Sequence, residues 1–172
     1  MSDQVRDTLQ TWVEEALELR HGEAGDPDGK VGLPPYEAGQ PASIEMLQRV
    51  RVRLDRIEEL QSRARQAKGR VLRMRDEAEF EAALAYDTAM HQNRNTRIQD
   101  YVTAAEKNAD ASLASLEQKR RAHQIKLLES YSVEALDVIT QCYWGLEKLR
   151  EDILQMIRLL NNNYMTSVEN QT

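Results

Sequence analysis

Apolar side chains recur at steps of three and four residues along most of the chain, and this period predicts α-helices. The first run covers residues 3–21, where Asp3 stands at the position of an N-cap and Gly22 at that of a C′ glycine. Its apolar positions are Val5, Leu9, Trp12, Val13, Ala16 and Leu17. Because they share one face, we expect a short amphipathic helix at the N-terminus.

A second run begins with Ser43 as its N-cap and extends to about Met90. Its apolar positions lie close to a heptad repeat, which Gln61 and Lys68 interrupt. These positions are Leu47, Val50, Leu54, Ile57, Ala64, Val71 and Met74. A narrow seam of this kind is typical of a coiled-coil helix.

The second and third helices are predicted to meet at a turn over residues 92–96. Thr96 and Gln99 have the spacing of a capping box, so we expect the next helix to begin at Arg97. Its apolar period continues to about Leu160, and the three asparagines at 161–163 are expected to end it.

The apolar stripe of the third helix has two parts, separated by the polar residues 117–121. Ser130–Ser132 is a candidate position for a kink. The second part is wide and rich in Leu and Ile, and one hairpin offers it too few partners, so we expect a homo-oligomer. The residues expected to assemble it are Leu128, Tyr131, Leu136, Ile139, Leu146, Leu149, Ile153, Ile157 and Leu160.

Proline and glycine divide the chain sharply. All four prolines and five of the seven glycines lie between residues 22 and 42, and no proline follows Pro41. We therefore predict an all-α protein, a long antiparallel helical hairpin or coiled coil with a short N-terminal helix on a linker. Its predicted parts are the helix at 1–21, the linker at 22–42, the hairpin and oligomerisation domain at 43–165, and a polar tail at 166–172.

Composition narrows the class further. Aromatic residues make up only 5% of the 172 residues, with a single Phe, so aliphatic side chains must build the core. No apolar run approaches the length of a membrane span, and the acidic, polar N-terminus is unlike a signal peptide. One cysteine allows no intrachain disulfide, which favours a cytoplasmic protein.

Candidate catalytic and metal-binding residues are sparse. The three histidines are far apart, and Cys142 lies on the apolar stripe, where a structural thiol is expected. Glu18 and His21 have the spacing of a di-iron half-site, but such sites need two pairs and two further glutamates. Asp87 and His91 are four residues apart, a common surface arrangement. We expect a non-enzymatic protein with no cofactor and no metal.

Charge is distributed very unevenly. The chain has a net charge of −6, yet residues 43–75 carry ten basic and four acidic groups. Residues 1–42 carry three basic and nine acidic groups, and residues 76–110 carry three and eight. The basic helix therefore lies between two acidic segments.

The arginines of the basic helix are regularly spaced. Arg49, Arg56, Arg63 and Arg70 follow one another at seven-residue intervals, and Arg53 lies beside them. Guanidinium groups spaced in this way can follow a phosphate backbone without reading bases. The basic helix contains no aromatic residue, so base stacking would have to come from Phe80, Tyr86 or Tyr101. The alternative is a solvated face, or one paired with acids of the first helix or of residues 76–110.

The C-terminal half resembles bacteriophage recombination mediators of the UvsY type. The matching stretch is Leu-Leu-Glu-Ser-Tyr-Ser-Val-Glu-Ala-Leu-Asp-Val-Ile at 127–139, followed by an amphipathic run through Leu146 to Met156. The order of parts is also similar, with a basic helical region before a hairpin that ends in an apolar helix. Residues 1–42 and the acidic net charge depart from the family pattern.

The resemblance implies a small ring-like oligomer in the host cell cytoplasm that binds single-stranded DNA. Such a protein helps a RecA-like recombinase to displace the single-strand-binding protein and form a filament, without enzymatic activity of its own. The second hypothesis is a phage structural or scaffolding coiled-coil protein that binds protein partners rather than DNA. Pairing of most of the five arginines with acids of the first helix or of residues 76–110 would favour this second hypothesis.

Overall fold

The computed structural model describes residues 2–21, 44–95 and 104–169, and every one of them except Ser115 is helical. The helices are α1 (Ser2–His21), α2 (Ile44–Asn95), α3 (Ala104–Ala114) and α4 (Leu116–Glu169). This confirms the all-α prediction. The predicted linker, the caps at Ser43 and Gly22, and the capping box at Thr96 lie outside the described residues.

Helices α2 and α4 pack against each other in antiparallel fashion. Gln61 on α2 contacts Thr140 on α4, whereas the later residue Arg75 contacts the earlier residue Glu129. The predicted helical hairpin is therefore confirmed. The chain divides into two compact units, each with its own part of α1, α2 and α4.

The first unit, which we call the leucine-rich unit, contains residues 7–21, 44–65 and 134–169 of the described chain. Three helices surround its core, because α1 adds Trp12, Val13 and Ala16 to the seam between α2 and α4. The largest fully buried side chains include Leu9, Ile57, Leu60, Ile139, Leu146 and Ile153. Burial of branched aliphatic side chains on this scale is the main stabilising contribution to the unit.

The second unit, the alanine-rich unit, contains residues 2–6, 66–95 and 104–133 of the described chain. Its core cluster is small, formed by Val71, Ala78, Ile125 and Leu128 with partly buried neighbours. Further buried positions are Ala82, Ala89 and Ala111. Alanine buries little apolar area, so this unit gains less stabilisation from its core than the leucine-rich unit does.

Two helix ends differ from the prediction. Helix α2 continues through residues 92–95, where we expected a turn, and α4 continues to Glu169 through the three asparagines at 161–163. Asn and Gln lower helix propensity by only a few tenths of a kcal/mol each, and neither segment contains Gly or Pro. The polar tail expected from residue 166 is thus helical as far as Glu169.

No break occurs at Ser130–Ser132, the candidate position for a kink, because α4 is continuous there. The hydroxyls of Ser130 and Ser132 donate to carbonyls of their own helix, at Lys126 and Glu129, without interrupting it. The one interruption in the described part of the chain is Ser115, between α3 and α4. Two groups of Ser115 donate to the Ala111 carbonyl, its hydroxyl at 2.9 Å and its backbone N–H at 3.1 Å.

Candidate nucleic-acid interface

The five arginines predicted to contact phosphate all lie on α2, and most of them have partners within the fold. Arg49 pairs with Glu45 at 2.8 Å, and Arg63 pairs with Glu59, each four residues away on the same helix. Such exposed pairs contribute little, about 0.3–0.5 kcal/mol. A phosphate group could therefore displace these carboxylates at small cost.

Helix α1 engages two further arginines. The Arg56 side chain donates to Glu15 at 2.6 Å and also pairs with Glu59, and Arg53 donates to the Leu19 carbonyl at 3.2 Å. The hydrogen bonds to Glu15 and Glu59 raise the pKa of Arg56. Arg56 thus has an acid of α1 as a partner, whereas the ion pair of Arg63 is with an acid of α2 itself.

A second set of cations on α2 has no partner among the described residues, and we call them the unpaired cations. They are Arg51 and Arg65 in the leucine-rich unit, and Lys68, Arg70 and Arg73 in the alanine-rich unit. All except Lys68, which is half-buried, are exposed. Only Arg70 belongs both to this set and to the five arginines predicted to contact phosphate. Arg75, in contrast, is held by Asp76 and by Glu129 at 2.9 Å.

The leucine-rich unit also carries a groove between α2 and α4, of about 360 Å³. We call it the Trp144 groove; it is lined by Glu58, Gln61, Arg65, Thr140, Tyr143 and Trp144. Gln61, which interrupts the heptad seam, is buried and donates to the Thr140 hydroxyl at 3.3 Å. Because this hydrogen bond gives the Gln61 amide a partner, a polar residue is tolerated in the seam.

Trp144 is the aromatic residue of this surface that sequence reasoning missed. Its side chain is 64% exposed and meets the Tyr143 ring in a T-shaped contact, with centroids 5.3 Å apart. The signal was present in the sequence, because Trp144 lies off the stripe formed by Ile139, Cys142 and Leu146. A large aromatic residue on the polar side of an amphipathic helix indicates a surface role.

The aromatic residues predicted to stack on bases lie elsewhere. Phe80 is exposed on α2, and Tyr86 is half-buried beneath the ammonium group of Lys119, which lies 4.9 Å from its ring centroid. Both belong to the alanine-rich unit. Tyr101 lies outside the described residues.

The residues predicted to assemble an oligomer are placed mainly inside one chain. Leu128, Ile139, Leu146 and Ile153 are buried in the cores. Four more are half-buried: Leu136, Leu149 and Ile157 pack against the core of the leucine-rich unit, and Tyr131 lies under the guanidinium group of Arg6. Leu160 is exposed. Because most of these side chains already pack within one chain, a second copy of the chain would contact mainly residues outside this set. Oligomerisation stays a prediction.

The candidates for chemistry are dispersed. Cys142 is buried, as expected from its place on the stripe, and desolvation raises the pKa of its thiol although Arg20 opposes the shift. His91 and His123 are exposed. Across residues 2–21, 44–95 and 104–169 no three His, Cys, Asp or Glu side chains gather in a way that could hold a metal ion.

None of the described helices combines the length and apolar character that crossing a membrane requires. Comparison with family models, with curated proteins and with solved structures finds no match to this chain.

Proposed function

We propose that this protein is a non-enzymatic accessory protein that binds single-stranded DNA through cations of α2. The observation that carries the proposal is the set of five unpaired cations between Arg51 and Arg73. A cation with no carboxylate partner can bind phosphate without first breaking an ion pair. It also releases the counterions condensed on the nucleic acid, which favours binding at low salt.

The paired arginines have a secondary part in this proposal. Arg63 gives up a weak surface ion pair with Glu59 when it turns to phosphate, and Arg49 gives up a weak surface ion pair with Glu45. Arg53 and Arg56 are held by α1, so their engagement would also disturb the contact between α1 and α2. The phosphate-binding residues we propose are therefore Arg51, Arg65, Lys68, Arg70 and Arg73 first, with Arg49 and Arg63 as additional contacts.

The resemblance to UvsY-type mediators supports a more specific role. We propose that the bound strand is handed to a RecA-like recombinase as the single-strand-binding protein is displaced, in the cytoplasm of the host cell. A homo-oligomer would multiply the phosphate contacts along one strand. Faster filament assembly by a RecA-like recombinase on protein-coated single strands is the result this role requires.

Fluorescence anisotropy of a labelled single-stranded oligonucleotide tests DNA binding with two matched double variants. Arg70→Ala/Arg73→Ala removes two unpaired cations, and Arg49→Ala/Arg63→Ala removes the same charge from two paired ones. We expect the first variant to lose about 100-fold or more in affinity, since each of its two lost contacts to a charged group contributes about 1.5 kcal/mol or more. The second should lose clearly less. Equal losses, or no binding by the wild type at low salt, would contradict the proposal.

The second candidate function is that of a helical scaffolding or structural protein that binds protein partners. The observation that favours it is a group of exposed large apolar side chains in the alanine-rich unit. They are Phe80, Leu84, Leu113, Leu116 and Leu127. Exposed side chains of this kind mark protein interfaces where they are contiguous. Self-association measured by light scattering, together with absence of DNA binding, would favour this candidate.

A further inference from the structure

We infer that the Trp144 groove takes one unpaired base of single-stranded DNA, stacked on the Trp144 ring, with the adjoining phosphate at Arg65. This inference rests on the proposed function and names a subsite that phosphate contacts alone do not supply. All six lining residues belong to the leucine-rich unit.

The Trp144 ring is both accessible and supported. It is 64% exposed, and its partner Tyr143 is half-buried against the core of the unit. The Tyr143 hydroxyl donates to Glu147 at 3.2 Å, which holds the tyrosine ring in place. An indole ring that is oriented before binding loses little conformational entropy when a base stacks on it. Every base has a flat face, so the stack tolerates any sequence.

Arg65 supplies the charge that such a subsite needs. It is exposed, lines the same groove as Trp144, and is one of the unpaired cations. A strand whose base lies on Trp144 carries a phosphate on each side of that nucleotide. One of these phosphates can meet the guanidinium group of Arg65 in a bidentate contact.

The remaining lining residues favour a base over an apolar protein side chain. Four of the six, Glu58, Gln61, Arg65 and Thr140, are polar. The centre of a protein interface is usually apolar and poor in charged residues. The carboxylate of Glu58 can instead accept a hydrogen bond from the exocyclic amine of a base. Bases in a duplex are already stacked and paired, so the groove should select single strands.

The test uses the intrinsic fluorescence of Trp144 in the full chain. The Trp12→Phe variant keeps an aromatic ring in the core and leaves Trp144 as the sole tryptophan. The probe is an unlabelled single-stranded DNA of about 20 nucleotides, longer than common site sizes. We expect saturable quenching of Trp144 emission, and much weaker quenching with the same sequence as a duplex. Trp144→Phe provides the complementary measurement, because its remaining Trp12 emission should not respond to DNA.

Affinity is then measured by anisotropy for Trp144→Ala and for Leu159→Ala, an exposed apolar residue of the same helix and unit that lies outside the groove. Loss of one stacked base should weaken binding about 5- to 150-fold in Trp144→Ala. Leu159→Ala should bind as the wild type does. Both side chains are largely exposed, so circular dichroism should show both variants folded.

The possible failures can be told apart. Wild-type binding without quenching of Trp144, or unchanged affinity of Trp144→Ala, would overturn the stacking subsite and leave phosphate binding by α2 standing. No binding of DNA by the wild type would overturn the proposed function and the subsite with it. Loss of self-association in Trp144→Ala with unchanged DNA affinity would assign the groove to a protein partner and overturn the inference.

Discussion

The dependence of DNA affinity on monovalent salt concentration would count the phosphate contacts that we propose for α2. On single strands, each neutralised phosphate adds about −0.7 to the slope of log affinity against log salt. The five unpaired cations alone predict a slope of about −3.5, and additional contacts by Arg49 and Arg63 would bring it to about −4.9. Between about 50 and about 200 mM salt, affinity should fall on the order of 100- to 1,000-fold.

The size of the salt slope distinguishes binding by the five unpaired cations from binding by every basic residue of the helix. If all ten basic residues of segment 43–75 contacted phosphate, the slope would be about −7 and the fall on the order of 10,000-fold. The assay is an anisotropy titration at five salt concentrations, with the Arg70→Ala/Arg73→Ala variant as a second series. We expect its slope to be shallower by about 1.4. A wild-type slope near −1 or near −7 would refute the reasoning from ion pairing.

Three further predictions concern the fold that presents these residues. Leu60 is fully buried in the leucine-rich unit, so Leu60→Ala should lower the free energy of unfolding, measured by urea denaturation, by about 2–5 kcal/mol. Leu84 is 55% exposed, so Leu84→Ala should lower it by less than about 1 kcal/mol. Arg56 and Arg63 lower the pKa of the Glu59 carboxyl, so its ion pairs stabilise the fold above the pKa of Glu59 in the unfolded chain. This stabilisation is lost as the pH falls through the lower pKa of the folded protein. NMR titration of Arg56→Ala/Arg63→Ala should show the pKa of Glu59 back in the usual range of a glutamate. Burial raises the pKa of Cys142, so its reaction with a thiol reagent at neutral pH should be slow in the folded protein and rapid in urea, and equal rates would contradict the buried placement.

The hairpin was predictable because a helical period is a local property. Apolar residues such as Val50, Leu54 and Ile57 repeat at helical spacing, and all three are buried in the structure. Helix ends were harder to predict, because asparagine weakens a helix only slightly and packing decides where it stops. The interruption at Ser115 was not predicted either, because no Gly or Pro marks it, and its N–H and its hydroxyl both donate to the Ala111 carbonyl.

The sequence identified the positive charge of the candidate site but not the contacts of its individual residues. Ten basic residues in segment 43–75 identify a cationic helix whatever the fold. The sequence does not show that α1 holds two of them, Arg56 through Glu15 and Arg53 through the Leu19 carbonyl. The Trp144 groove likewise exists because α2 places Arg65 opposite Trp144 on α4.

The sequence by itself determined the helical class, the apolar seam and the concentration of positive charge in one helix. Each follows from interactions between residues close together in the chain, and these leave a periodic pattern. Only the tertiary structure decided that α1 holds Arg53 and Arg56 and that Arg65 lines the same groove as Trp144. Both depend on contacts between residues far apart in the chain, which helical periodicity does not encode.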